Sequence, residues 1–195
     1  GWNFYNNNNQ IFTGEEDSHG THGAGTISAG TGNGIGIAGI VPGNRVRVMA
    51  LKALGGTDGG GSTAAVIKAI RYAEDNGAVI CNLSLTSTVD DKALYEAMKN
   101  SSMLFVVATG NGNPKTGKGV DTDAIPFYPA AYDLDNIISV ANLSIDGTLS
   151  ASSNYGKKTV LYPEHNAGKY IWLHERYFHG GADGIRCSGD GLFPF

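Results

Sequence analysis

Apolar positions in the middle of the chain fall into short runs separated by segments of helical spacing. Between about Arg45 and Leu143 the runs are 46–54, 79–85, 103–108 and 137–141, and segments 64–75 and 92–100 between them read as helices. This alternation predicts an α/β domain built on a mostly parallel sheet with crossover helices. The first helix is the clearest, with Ser62 or Thr63 at the cap position and Val66, Ile67, Ile70 and Ala73 along one face. The runs 78–83 and 104–108 lack polar alternation, the pattern of central strands covered on both faces. Ligands in open parallel sheets gather beyond the carboxyl ends of strands, which directs attention to the loops after Leu54, Leu85 and Ala108.

The pattern stops near Val160. Beyond it aromatic residues crowd together with His165, His174 and His179, three of the chain's five histidines, and no strand or helix pattern persists to Phe195. The expected division is a domain over 1–159 and an anomalous, poorly packed tail over 160–195.

Composition narrows the function classes. At 195 residues and 41% hydrophobic content the chain can bury a core, and one domain is the default. A net charge of -4 without a Lys/Arg cluster argues against a nucleic-acid partner. No apolar stretch reaches the roughly 20 residues that a membrane helix needs, so no membrane partner is expected. Two cysteines, Cys81 and Cys187, make no disulfide framework, and the 29 glycines cluster without a repeat, as tight turns and close backbone approaches require.

Segment 17–26, Asp-Ser-His-Gly-Thr-His-Gly-Ala-Gly-Thr, opens with cap-type residues and continues with small ones, as in a helix packed closely on a neighbour. His19 then lies at the helix start, where an imidazole serves as a general base if a hydroxyl and a carboxylate are in reach, or simply as a surface or capping residue. His22 completes a His-x-x-His pair without a carboxylate or third ligand nearby, which is poor zinc chemistry. Asn111 follows the apolar run 104–108, where its carboxamide can donate to a developing oxyanion or take a turn conformation. Two glycine patterns suggest nucleotides and fail. Gly34, Gly36 and Gly39 precede Pro42 and a strand rather than a helix, and in the loop Gly112–Lys118 a glycine, Gly119, replaces the magnesium-binding hydroxyl.

His19 with the following Gly20, Thr21 and His22 resembles the histidine motif of the subtilases, the subtilisin-like serine proteases, and Asn111 in Ala-Thr-Gly-Asn-Gly resembles their oxyanion asparagine. Lys52–Gly55 followed by Gly59, Gly60 and Gly61 looks like the family's substrate-binding strand and loop, and Asn82–Leu85 like the second wall, which includes Ser84 and Leu85. Segments 128–140 and 150–156 are also similar, so the resemblance covers roughly Gly1 to Lys158. It implies a three-layer subtilisin-like α/β fold, incomplete at both ends, and a secreted, monomeric serine endopeptidase acting on a polypeptide substrate. His19 would be the base and Asn111 the oxyanion donor, with no organic cofactor. Residues 31–37 align with a calcium loop of some members, which implies calcium only weakly because the completing carboxylate would lie upstream of Gly1. Gly23, Thr86 and Ser87 depart from the family pattern.

Two triad members are missing from the resemblance. Glu15, Glu16 and Asp17 are the only acids before His19 and are too close in sequence to occupy the family's aspartate strand. No Gly-Thr-Ser-Met-Ala-x-Pro string follows residue 156, and the tail's only serine, Ser188, has no helix pattern after it. A one-nucleotide shift lets the codons of Arg176–Ile185 spell Gly-Thr-Ser-Met-Ala-Ala-Pro-Met-Val. The expectation is therefore a frame change near Val160 and an inactive literal chain. The alternatives are a divergent tail, and a non-catalytic fragment or peptide-binding pseudoenzyme.

Overall fold

The computed structural model describes residues 1–41, 45–144, 146–160 and 186–187. In chain order the elements are β1 (Trp2–Asn3), a 3₁₀ turn (Glu15–Asp17), α1 (Ser18–Ser28), β2 (Leu51–Lys52), α2 (Thr63–Asp75), β3 (Ile80–Leu83), β4 (Leu85–Thr86), α3 (Lys92–Lys99), β5 (Leu104–Ala108), β6 (Ile137–Val140), β7 (Thr159–Val160) and β8 (Arg186–Cys187).

Helix α2 starts at Ser62, whose Oγ accepts the Ala65 N–H at 3.2 Å. Asp91 caps α3 in the same way, accepting from Ala93 and Leu94. The predicted apolar stripe of α2 is buried at Val66, Ile70 and Ala73, and these residues share one core with Leu94 and Met98 of α3, Met103, and Phe105 and Val107 of β5. Between α3 and β5, the Asn136 side-chain amide donates to the Met98, Ser101 and Met103 carbonyls, closing the turn that brings β5 under the helices.

β3, β5, β6 and β7 form a parallel sheet in that order, with Leu83 opposite Val107 and Ala108 opposite Val140. β1 and β2 pair in parallel as a separate two-stranded sheet. The α/β class and the parallel sheet are as expected, but two strands differ from expectation. The run 46–54 forms a strand only at Leu51–Lys52, because a ladder needs a partner and β1 supplies one only there. β3, expected to be central, pairs among the described residues with β5 alone, and Val79 and Ile80 are exposed. β5 also alternates in burial: Phe105 and Val107 face the helices, while Leu104, Val106 and Ala108 are half-buried.

The close packing expected of α1 is absent among the described residues. A methyl group added at Gly20, Gly23 or Gly25 would meet nothing within 4 Å, and Thr26 is the helix's one buried residue. No described helix is long and apolar enough to cross a membrane.

Candidate active site

The loops bearing the candidate residues leave the sheets at strand carboxyl ends. β3 and β5 are parallel neighbours in register, so Ser84 and Leu85 after β3 emerge beside Thr109, Gly110 and Asn111 after β5. Gly59, Gly60 and Gly61 follow β2, and His19 is the second residue of α1.

α1 is tied to the end of β2 by an ion pair. Lys52 Nζ lies 2.5 Å from Asp17 Oδ1, both side chains being nearly buried, and also donates to Thr13 Oγ1 at 3.2 Å. Asp17 stands at the N-cap position, yet its carboxylate makes no cap bond to α1. It accepts instead from the Thr13 N–H at 2.7 Å and hydroxyl at 2.9 Å. Burial opposes its charge, but Lys52 and Thr13 outweigh burial and hold the carboxyl below its ordinary range.

Asn111 sits in a loop stiffened from below. Thr109 is buried and donates from its backbone N–H and its hydroxyl to the Val140 carbonyl, at 2.9 and 3.0 Å. Asn154, fully buried, donates from Nδ2 to the Thr109 carbonyl at 2.9 Å and from its backbone N–H to the Gly110 carbonyl at 3.0 Å, while its Oδ1 accepts from Val120 N–H. Gly110 has φ 107°, and a methyl group there would fall 2.5 Å from Asn154 Nδ2. A side chain is excluded twice, by backbone conformation and by space. In the sequence, Asn154 belongs only to the family-like segment 150–156, and its role in this loop is not legible there because its partners lie 34 to 45 residues away.

The glycine wall is a tight loop. Gly55 and Gly60 form an antiparallel bridge, with Gly55 N–H donating to the Gly60 carbonyl at 2.9 Å, and the Gly60 N–H is held by Asp58 Oδ1. A methyl group at Gly61 would fall 2.6 Å from Leu54 Cδ2, so the backbone lies flat on β2's extension. On the second wall, Ser84 Oγ accepts from Asn82 Nδ2 at 2.9 Å and Leu85 is buried in the core. β4, which begins at Leu85, pairs antiparallel with β8, Leu85 opposite Cys187 and Thr86 opposite Arg186. Two tail residues thus have a strand partner where no strand was expected. Ser188 and the tail histidines lie outside the described residues.

Cys81 on β3 is a free thiol that burial pushes up to about 12, too high for a nucleophile at neutral pH. No group of three or more His, Cys, Asp and Glu among the described residues is placed to hold a metal. In loop 31–37 Asn33 Oδ1 already accepts the Ile35 N–H at 3.0 Å and the loop carries no carboxylate, so these residues alone do not fit a calcium site.

The chain belongs to the Subtilase family, which it matches over residues 1–176. The match therefore runs past the composition shift near Val160. The chain is 38% identical over 148 residues to the major intracellular serine protease of Bacillus subtilis, covering 74% of this chain and 44% of that protein. It is 35% identical over 180 residues to thermitase of Thermoactinomyces vulgaris, covering 91% of this chain and 57% of that one. Among solved structures it is similar to the psychrophilic subtilisin-like protease Apa1 from the Antarctic psychrotroph Pseudoalteromonas sp. AS-11, with a TM-score of 0.62 and 27% identity over 75% of this chain and 31% of that one. The chain spans about half the length of the two curated relatives.

Proposed function

We propose that this chain carries the base, the oxyanion donor and the substrate walls of a subtilisin-type serine endopeptidase, without the nucleophile in its translated sequence. The observation that carries the reading is the convergence of Ser84–Leu85 and the Asn111 loop at the same ends of adjacent parallel strands β3 and β5. In the intact enzyme His19 takes the proton of a serine hydroxyl as it attacks the scissile carbonyl, then returns it to the leaving amine. Asn111 donates to the tetrahedral oxygen, from a loop that Asn154 keeps preorganised. The substrate runs as an extended strand between Gly59–Gly61 and Ser84–Leu85, with water as second substrate. No organic cofactor enters this scheme, and an extracellular, monomeric enzyme completes it, although the B. subtilis relative is named as intracellular.

The literal chain is expected not to turn over. A fluorophosphonate probe tests this directly, the expected result being no covalent label. A label on any serine overturns the inactive reading.

Peptide binding without catalysis is the second reading. It is favoured by β4, which accepts an antiparallel backbone partner, β8. Saturable binding of an unlabelled extended peptide, read by calorimetry on the same unlabelled chain, supports it; absence of binding removes it.

A further inference from the structure

We propose that Tyr5 is a positioning residue for the substrate wall, its ring holding the loop 55–61 in the shape that presents Gly59, Gly60 and Gly61 to an extended polypeptide. The proposal rests on the reading of those glycines as a substrate wall and adds what gives the wall its shape. Five of the seven residues 55–61 are glycine. Glycine gives up more backbone freedom on ordering than any other residue, so a loop of this composition keeps one shape only where contacts impose it.

Tyr5 supplies such a contact from outside the loop. A methyl group built at Gly55 would fall 2.7 Å from Tyr5 Cδ1 and 2.9 Å from Cε1, and one at Gly56 would fall 3.2 Å from the Tyr5 hydroxyl. The ring therefore lies along the bare backbone of Gly55 and Gly56, at an approach that a side chain there would block. These two residues are the ones bonded to the wall. Gly55 N–H donates to the Gly60 carbonyl at 2.9 Å, and the carbonyl of Gly56, which has φ 73°, accepts the Gly59 N–H at 3.3 Å.

The ring is itself held from behind. The N–H groups of Phe4 and Tyr5 both donate to the Lys52 carbonyl, at 2.7 and 3.1 Å. Asn3, fully buried, accepts the Asn6 N–H through Oδ1 at 2.9 Å and donates through Nδ2 to the Gln10 carbonyl at 2.7 Å, while its backbone exchanges hydrogen bonds with that of Asn8. Asn7 takes the left-handed φ of 53° that closes this turn, a conformation asparagine tolerates. Phe4 meets Tyr72 of α2 edge-on, with ring centroids 5.6 Å apart. Segment 3–10 is a closed turn docked on β2 and α2, and Tyr5 reaches from it onto the glycine loop.

The test measures amide hydrogen exchange and the binding of β-casein, an unfolded polypeptide, on the full chain. Tyr5→Ala should speed exchange in 55–61 about tenfold while α3 keeps its rate, and should weaken casein binding about tenfold. Tyr5→Phe should match the parent in both, because the ring makes the contact. Gly55→Ala attacks the same contact from the other side. It should speed exchange in 55–61 when Tyr5 is present and add nothing once Tyr5 is replaced by alanine, the coupling expected of two groups in contact. Unchanged exchange in Tyr5→Ala, a loss in Tyr5→Phe equal to that in Tyr5→Ala, or independent effects of Tyr5→Ala and Gly55→Ala overturns the proposal. A parent chain that binds no casein overturns the wall reading and this proposal with it, whereas parent binding that Tyr5→Ala leaves unchanged overturns this proposal alone.

Discussion

Asn154 is tied to the segment around Asn111 by four hydrogen bonds from a fully buried position, two of them through its side chain. Asn154→Ala keeps the backbone bond to Gly110 but strands the Thr109 carbonyl and the Val120 N–H. The expected loss is about 2–3 kcal/mol, read as a lower urea midpoint at unchanged slope. Asp17 makes a pH-dependent contribution. Its folded pKa lies below the ordinary 3.8, so the stabilisation is full above that value and is lost as pH falls through the folded one. Asp17→Asn should cost up to about 1 kcal/mol at pH 7, the scale of a solvent-screened ion pair, and urea midpoints between pH 2 and 6 should fall less steeply for the variant. An unchanged acid slope removes the ion pair from the account. The Ser62 cap was legible because its partner lies three residues on, whereas Asn154 was not, because its partners are set only by the finished fold.

Elements were legible in proportion to how local their causes are. α2, α3, β5 and β6 lie within about two residues of their predicted bounds, since period and cap are written in the segment itself. β2 and β3 were misread as longer or central because an apolar run records the partners a strand is built for, and the described residues supply one partner each. α1 was read as tightly packed for the same reason, its small residues suiting a neighbour that no described residue provides. Equal hydrophobicity therefore should not mean equal stability. Met98→Ala, at a fully buried core position, should cost about 2–5 kcal/mol. Val79→Ala, 74% exposed on the edge of β3, should fall within about 0.5 kcal/mol of the parent. Guanidinium titrations of both variants decide the matter, and a large loss at Val79 would mean that the edge is covered in solution.

At the scale of the whole molecule, the site divides along the chain. The residues proposed as base, oxyanion donor and walls lie within residues 1–159, His19 on α1 and the others in loops that follow β2, β3 and β5, while the nucleophile is expected from codons overlapping Arg176–Ile185 in another frame. The walls and the Asn111 loop were legible because glycines and strand ends carry them; how they converge was not, because it depends on β3 and β5 pairing in register. Restoring the frame near Val160 by one nucleotide tests the division. The restored chain should contain Gly-Thr-Ser-Met-Ala-Ala-Pro, and when completed with the longer polypeptide of its relatives it should take a fluorophosphonate label that this chain does not. In that completed enzyme His19→Ala should abolish labelling, because the hydroxyl loses its base. Asn111→Ala should label but turn over roughly 10²–10³-fold more slowly, the loss measured when a subtilisin gives up its oxyanion donor. The difference between the two variants separates the roles: a base acts before the covalent bond forms, whereas an oxyanion donor acts on the charge that forms with it. Equal loss of labelling in both would place Asn111 in substrate or loop integrity instead, and a coding sequence without the shifted motif would make the tail a genuine divergent end of a peptide-binding protein.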